Sequence, residues 1–478
     1  MAGEAKNYVF MEPVLQEINK NFVSLPENMK KQYNIYQVVI GSIIDKMKET
    51  NPLFSNLYRE LFYGGSYYDG LKISKPEEYD LDLLMSIPKY TKPELSPSDL
   101  HGFVKLKLTE LEKFKQQPEY KSYYTDLPKL LDDENYLDTD RVKKWMHSVI
   151  TKTMNKYEKR GDQYKFICET SQFENTTFYI KVVTGGPAFT LQINNEDMKM
   201  DVDLVPCFVF DNNWPIHCNI KPNSTSSPTY FIVPKKPYNN PNDGLIGRCW
   251  RMSFQIQERE LIRNKQSLKP ALKLLKKLRD QLNHVYMSSY FLKTIFLLEI
   301  GNNKRDSTFW TSHVSTTFME MLKVYHSYLT QKRIPYYWDE TYNMIGHIKP
   351  IIIENYANKV GNIIKKIDNG GTDPLSVAKF FLDQQEMNHL TEYFSAFKEK
   401  SPERALSKSE VSELSFRNDS DVLRSNSSKE NEVETQQQLK DINEKLNVMI
   451  KLQQSLMTTM CDLSDRVKCI EIKINSTV

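Results

Sequence analysis

Three small residues and two acidic runs are where this sequence offers chemistry. Gly64-Gly65-Ser66 forms a turn in which glycine tolerates unusual φ and close backbone approach to a ligand, while the serine hydroxyl can donate to a phosphate oxygen. After eleven residues comes Glu78-Tyr79-Asp80-Leu81-Asp82-Leu83, and much later Met200-Asp201-Val202-Asp203-Leu204-Val205. Side chains alternate across a strand, so Glu78, Asp80 and Asp82 share one face and Tyr79, Leu81 and Leu83 the core face. Carboxylates that converge repel: two at ~4 Å do so by ~4 kcal/mol at an effective dielectric of about 20, and a divalent cation or a proton must relieve them. Oxygen-only ligands select magnesium or manganese. Alone, each motif also fits an ordinary turn or a solvated strand face; their joint order favours phosphoryl-transfer chemistry.

A small-residue turn, a strand with two acids on one face and a third acid on a neighbouring strand is the pattern that nucleotidyltransferases of the polymerase-β type need. Spacing leaves the register open, because Glu78/Asp80 and Asp80/Asp82 both fit.

These residues need a scaffold. A length of 478 residues predicts two or more folded units. Hydrophobic residues at 40% and charged ones at 26% exclude wholesale disorder and a membrane-embedded chain. The apolar stretch Tyr290 to Ile300 is broken by Lys293, short of the ~18 residues a span needs, and Met1 to Phe10 has no secretory pattern. The six cysteines lack C-x-x-C spacing, so neither a disulfide framework nor a zinc ribbon is expected, and the cytoplasm is the expected location. Helices are predicted over Met29–Met47 and Asn264–His284, and strands over Tyr79–Ile87, Phe178–Val183, Phe189–Ile193 (after the Gly185-Gly186-Pro187 turn) and Met200–Phe210. Strand signals fade past about residue 285. The expected architecture is α+β and bilobed: a polymerase-β-type core with N-terminal helices at 1–284 and a helical C-lobe at 285–396. Residues 397–438, rich in serine and charge, form an expected disordered linker. From Leu439, apolar residues recur alternately three and four apart through Leu446, Leu456, Leu463 and Ile474. This seam predicts a coiled coil at 439–476 through which the chain could homo-oligomerise, with Gln453 as a polar core position.

The run Gly65 to Asp80 resembles the corresponding run of cyclic GMP-AMP synthase and of the animal cGAS-like receptors. The resemblance continues through Cys249 to Phe254, Leu272 to Lys276 and Ser288 to Thr294, more loosely at Pro335 to Trp338, and covers roughly residues 30 to 390. It implies that Glu78, Asp80 and Asp203 are the catalytic metal ligands, leaving Asp82 and Asp201 as neighbours. It implies too that Gly65 and Ser66 meet the triphosphate, that Arg251 contacts a base, that Ser253 and Glu258 line the pocket, that Lys276 contacts a phosphate, and that Ser289 and Tyr290 hold and stack a base. A flat guanidinium suits base edges and a tyrosine face suits any purine. Where the DNA-sensing enzyme carries a His/Cys zinc insertion, this chain has only Ile262 to Ala271, with neither His nor Cys. The invertebrate receptors similarly lack it, and their RNA-sensing members bind duplex RNA on a basic surface.

The net charge is only +3, yet eight Lys/Arg fall between Arg141 and Lys165 and eight between Arg259 and Arg279. A helix over Arg141–Arg160 would align Lys144, Lys152, Lys156 and Arg160 opposite Val142, Trp145 and Val149; Lys265, Lys269, Lys273 and Lys276 make a second row. Such stripes track phosphates without reading sequence, as duplex RNA requires, though each also suits a solvated helix face. The implied function is a double-stranded-RNA-activated enzyme that makes a cyclic dinucleotide from ATP and GTP with Mg2+ or Mn2+, in innate immunity. The alternatives are a template-independent transferase with linear products, or a catalytically silent scaffold that binds RNA or protein and oligomerises through its tail.

Overall fold

The computed structural model describes residues 7–24, 29–73, 78–168, 176–185, 188–196, 198–211, 214–215, 218, 220–237, 246–301, 305–370 and 373–399. The first half runs α1 (Glu12–Ile18), α2 (Met29–Thr50), α3 (Pro52–Leu57), β1 (Tyr58–Tyr63), α4 (Gly65–Tyr68), β2 (Glu78–Met85), β3 (Pro93–Pro97), β4 (Phe103–Leu108), α5 (Leu111–Lys115) and α6 (Thr139–Met154). There follow β5 (Glu158–Arg160), β6 (Gln163–Ile167), β7 (Thr177–Gly185), β8 (Ala188–Asn194), β9 (Lys199–Phe210), β10 (Tyr230–Val233) and β11 (Trp250–Ser253). The rest is helical: α7 (Gln255–Ile262), α8 (Leu268–Gln281), α9 (Ser289–Gly301), α10 (Val314–Thr330), α11 (Pro350–Asn369), α12 (Pro374–Ala378) and α13 (Gln384–Glu399). The chain divides into two units, 1–393 and 394–478.

Among the described residues one mixed sheet holds the eleven strands, and β9 organises it. Its start pairs antiparallel with β8, its end antiparallel with β10, and Asp201 to Phe208 pair parallel with β2 along the opposite edge. Alternation explains the two faces. Tyr79, Leu81 and Leu83 of β2 and Met200, Val202 and Leu204 of β9 enter a core closed by α2 and α6, through Val39, Ile43, Met146 and Val149. Farther along both strands the other face is covered too, by Leu84, Cys207, Val209 and Phe231 with Phe62 and Ile256. Glu78, Asp80, Asp201 and Asp203 therefore stand before this second cover begins, whereas Asp82 is already buried. Beyond β11 the named elements are all helices, and α9 is buried from Phe291 to Glu299.

Two expected helices have different ends. Helix α6 stops at Met154, because Asn155 to Tyr157 turn into the β5–β6 hairpin, whose Gly161 takes the left-handed φ of +63°. Lys156 and Arg160 thus leave the row that Lys144 and Lys152 occupy. Helix α8 begins at Leu268 rather than Asn264, since Asn264 itself has a φ of +60°, and Lys265 precedes the helix. Helix α13 runs to Glu399, three residues into the expected 397–438 linker; the rest of that linker and the 439–476 seam lie outside the described residues.

Candidate active site

The register of β2 against β9 decides which acids meet. Asp80 lies directly opposite Asp203 and Glu78 opposite Asp201, and in a parallel pair opposed side chains share a face. Thr190 of β8, opposite Asp203 on the other edge, donates its hydroxyl to the Asp203 carboxylate (2.5 Å). Asp80 stands on the floor of an open cleft whose walls crowd it; that crowding, then the charge of Asp203, raises its pKa against the pull of Lys72.

The glycine turn is built around Asp80. Strand β1 pairs antiparallel with β2, so Tyr63 sits opposite Leu81, and the next residue, Gly64, donates its N–H to the Asp80 carbonyl (3.0 Å). Gly65 takes a φ of +72°, and a Cβ there would fall 1.8 Å from an Asp80 carboxylate oxygen, so no other residue fits. Tyr67 packs edge-on against Tyr79 and Tyr68, anchoring α4 to the sheet.

Glu78 departs from the expected gathering of three carboxylates. Its side chain is 74% exposed and pairs with Lys72 (3.4 Å), a nearer counter-charge than the like-charged aspartates. Among the described residues, no group of three His, Cys, Asp or Glu side chains is drawn together as a metal-holding set. The Asp80–Asp203 pair nonetheless fits a divalent cation. Its donors are all oxygens, Asp80 resists carrying its charge, and the neighbouring Asp201 has a buried Oδ1 without a hydrogen bond among the described residues.

A cleft of about 450 Å³ opens over this floor. All eight residues expected to meet nucleotide line it: Gly65, Ser66, Arg251, Ser253, Glu258, Lys276, Ser289 and Tyr290; Asp80 and Asp82 also line it, whereas Glu78 and Asp203 stand outside the lining. Arg251 lies over the rings of Tyr336 (4.1 Å), Tyr342 (4.7 Å) and Phe103 (5.2 Å), which fixes its guanidinium plane. Ser289 accepts a bond from Arg279 (3.3 Å). Lys276 is buried and donates to the Leu71 carbonyl (2.5 Å); burial first, then repulsion from Arg279, brings its pKa down to about 8.

Behind the wall runs a charge network that the sequence reading did not assemble. Glu258 accepts from Tyr290 (2.6 Å) and Trp338 (3.2 Å) and pairs with Lys293 (2.9 Å). Lys293 also pairs with Asp69 (2.7 Å), and Asp69 with Arg259 (3.0 Å). Burial works against both buried partners, but Lys293 and then Arg259 hold the Asp69 carboxyl below its ordinary pKa, while Glu258 and Asp69 hold the Lys293 ammonium above its own. Asp82, 5% exposed, has no such cation: burial pushes it up to about 7 against bonds from Cys207 and Gln255. One signal was available, since Lys293 is a lone cation in an otherwise apolar run and so demands a buried partner.

The two basic rows differ in setting. Lys144 and Lys152 are exposed on α6; Lys156 and Arg160 are exposed beyond its end, where Arg160 pairs with Glu158 (2.9 Å). Lys265, Lys269 and Lys273 are half-buried, and burial lowers the pKa of Lys265 and Lys273. Lys276 faces the cleft and not an outer surface. Among the described residues, no helix is long and apolar enough to cross a membrane.

The family model described as Mab-21 protein nucleotidyltransferase domain matches residues 67–264, and that of the Mab-21 protein HhH/H2TH-like domain matches residues 267–362. The chain is similar to a cyclic GMP-AMP synthase-like receptor of Tribolium castaneum, 43% identical over 381 residues that cover 79% of this chain and 93% of that one. Receptors of the same description from Aethina tumida and Trichogramma pretiosum are 37% and 34% identical, covering 80% and 82% of this chain and 94% and 81% of theirs.

Proposed function

This chain belongs to the Mab-21/cGAS-like nucleotidyltransferase family, and from that premise we propose that it joins ATP and GTP into a cyclic dinucleotide when duplex RNA binds. The observation that carries the reading is the parallel register that sets Asp80, on the floor of the cleft beside the Gly64-Gly65-Ser66 turn, against Asp203, which stands outside the lining. Asp80 and Asp203 would hold magnesium or manganese, with Glu78 joining them once it leaves Lys72. Such an ion, when bound, acidifies a ribose hydroxyl and stabilises charge on the departing pyrophosphate.

The chain's own residues supply the rest. Backbone and hydroxyl at Gly65 and Ser66 orient one triphosphate, Lys276 draws in phosphate, and Arg251 and Tyr290 seat the bases. Orientation of two nucleotides in one cleft is itself a large part of the acceleration, because it replaces an encounter in solution with a neighbouring attack. Duplex RNA would lie along Lys144, Lys152, Lys156 and Arg160, with Lys265, Lys269 and Lys273 as the second track.

The test is to incubate the purified full chain with labelled ATP and GTP in manganese, with and without duplex RNA or duplex DNA. A cyclic product that requires duplex RNA, and that falls by at least ~10³-fold in Asp80→Asn and in Asp203→Asn, is the expected result. Linear products would leave the transferase and remove the cyclase. Equal product without nucleic acid would remove the switch.

A further inference from the structure

We propose that α7 is a clamp that sets the phosphate-binding turn, with Arg259 and Gln255 as its positioning residues; the inference rests on the reading of the cleft as a nucleotide site. The two residues stand four apart, one helical turn, and so share a face of α7. Arg259 donates through Nη2 to the Tyr63 carbonyl (2.9 Å), just before the turn, and through Nε to Asp69 (3.0 Å), which ends α4 just after it. Its guanidinium also lies over the Phe62 ring (5.2 Å). One planar, rigid group thereby spans both ends of the turn, which a point charge cannot do.

Gln255 grips the middle. Its Oε1 accepts from the Gly65 N–H (3.4 Å), and its Nε2 donates to Asp82 (2.6 Å) and Ser253 (3.3 Å). Two acceptors at the nitrogen end fix the orientation of the amide, so the oxygen must face the glycine. A Cβ at Gly64 would fall 2.5 Å from that oxygen, which leaves no slack between helix and turn. Glycine adopts left- and right-handed φ about equally readily, so an outside brace is what selects the +72° of Gly65. Between the two gripping residues α7 carries Glu258, whose bonds go to Tyr290 and Lys293. The same short helix therefore fixes the triphosphate turn and the base wall relative to one another.

The consequence is specific to the phosphate end. Loosening the clamp blurs the positions of Gly65 and Ser66 but leaves Arg251 on its aromatic rings. The experiment measures dissociation constants of ATP, GTP, adenosine and guanosine for the full chain in magnesium, together with melting temperature. Arg259→Met is expected to weaken both triphosphates by about tenfold or more while both nucleosides stay within about twofold. Arg259→Lys, which keeps the charge beside Asp69 but cannot also span to Tyr63, recovers only part of the loss, and Gln255→Ala loses less than Arg259→Met. Equal losses for triphosphate and nucleoside, or full recovery by Arg259→Lys, would overturn the clamp. Wild-type protein that binds triphosphate and makes no dinucleotide would sink the catalytic reading alone; unchanged triphosphate affinity in every variant would sink the clamp alone.

Discussion

Among the described lysines, Lys276 is the one whose charge is most easily lost. Its side chain leaves α8 buried, and the ammonium rests on the Leu71 carbonyl, with a pKa brought down to about 8 by burial and then by Arg279. A base so depressed is charged below about pH 8 and neutral above it, and a bound triphosphate favours the charged form. Triphosphate binding therefore takes up a proton above pH 8, and affinity falls as pH rises through that value. Between pH 7.5 and 9 the dissociation constant of ATP or GTP is expected to rise by up to about tenfold, whereas Lys276→Met binds more weakly at pH 7.5 and shows no such slope. Calorimetry in buffers of different ionisation heat reads both affinity and proton uptake; a slope that survives in the variant would assign it to another group. The sequence marked Lys276 but not its partner, because Leu71 is 205 residues away. The same holds for Lys293 and Asp69, 224 apart. Acids two apart on a strand advertise themselves locally, as Glu78, Asp80 and Asp82 did and Asp201 and Asp203 after them; ion pairs closed by the tertiary fold do not.

At the scale of elements, α1 offers a separable test. The carboxylate of Glu12 accepts from the backbone N–H groups of Val314 (3.2 Å) and Ser315 (2.7 Å), the first two residues of α10. Those donors have no partner within their own helix, and the helix dipole favours an anion there. Glu12→Ala is expected to lower unfolding free energy by about 1–2 kcal/mol and Glu12→Gln by less, with nucleotide affinity unchanged, as urea titration and calorimetry would show. No motif announced this cap, since an acid in one helix met the N-terminus of another some 300 residues on. Elements were legible where periodicity had room to repeat: β8 alternates along all seven of its residues, and β2, β7 and β9 over their first four to eight. Strands β10 and β11 have four residues each, too few for a period to repeat, and in β10 Tyr230, Phe231 and Ile232 are buried in succession. Helix ends failed where the chain turns: Asn264 takes a left-handed φ of +60° that overrides the run around it, and after Met154 the chain leaves α6 for the β5–β6 hairpin.

At the scale of the whole molecule the open question is what the seam from Leu439 to Ile474 does for a body that already contains its cleft within residues 1–393. If the seam pairs with copies of itself, each assembly carries several α6 surfaces, and a long RNA duplex engages the second after the first at a raised effective concentration. Association then acts on the RNA response and not on the chemistry. Leu446→Glu with Leu463→Glu places two acids in the apolar seam and should convert the full chain to a monomer by light scattering. The same variant should need about tenfold or more duplex RNA for half-maximal dinucleotide synthesis, with the maximal rate per chain retained. Short duplexes separate this from a direct effect on the cleft, because a duplex too short for two bodies gains nothing from avidity, and wild type and variant should then respond alike. A variant that stays oligomeric, or one whose maximal rate falls on long and short duplexes equally, would show that the seam does something other than gather copies of the enzyme onto one RNA.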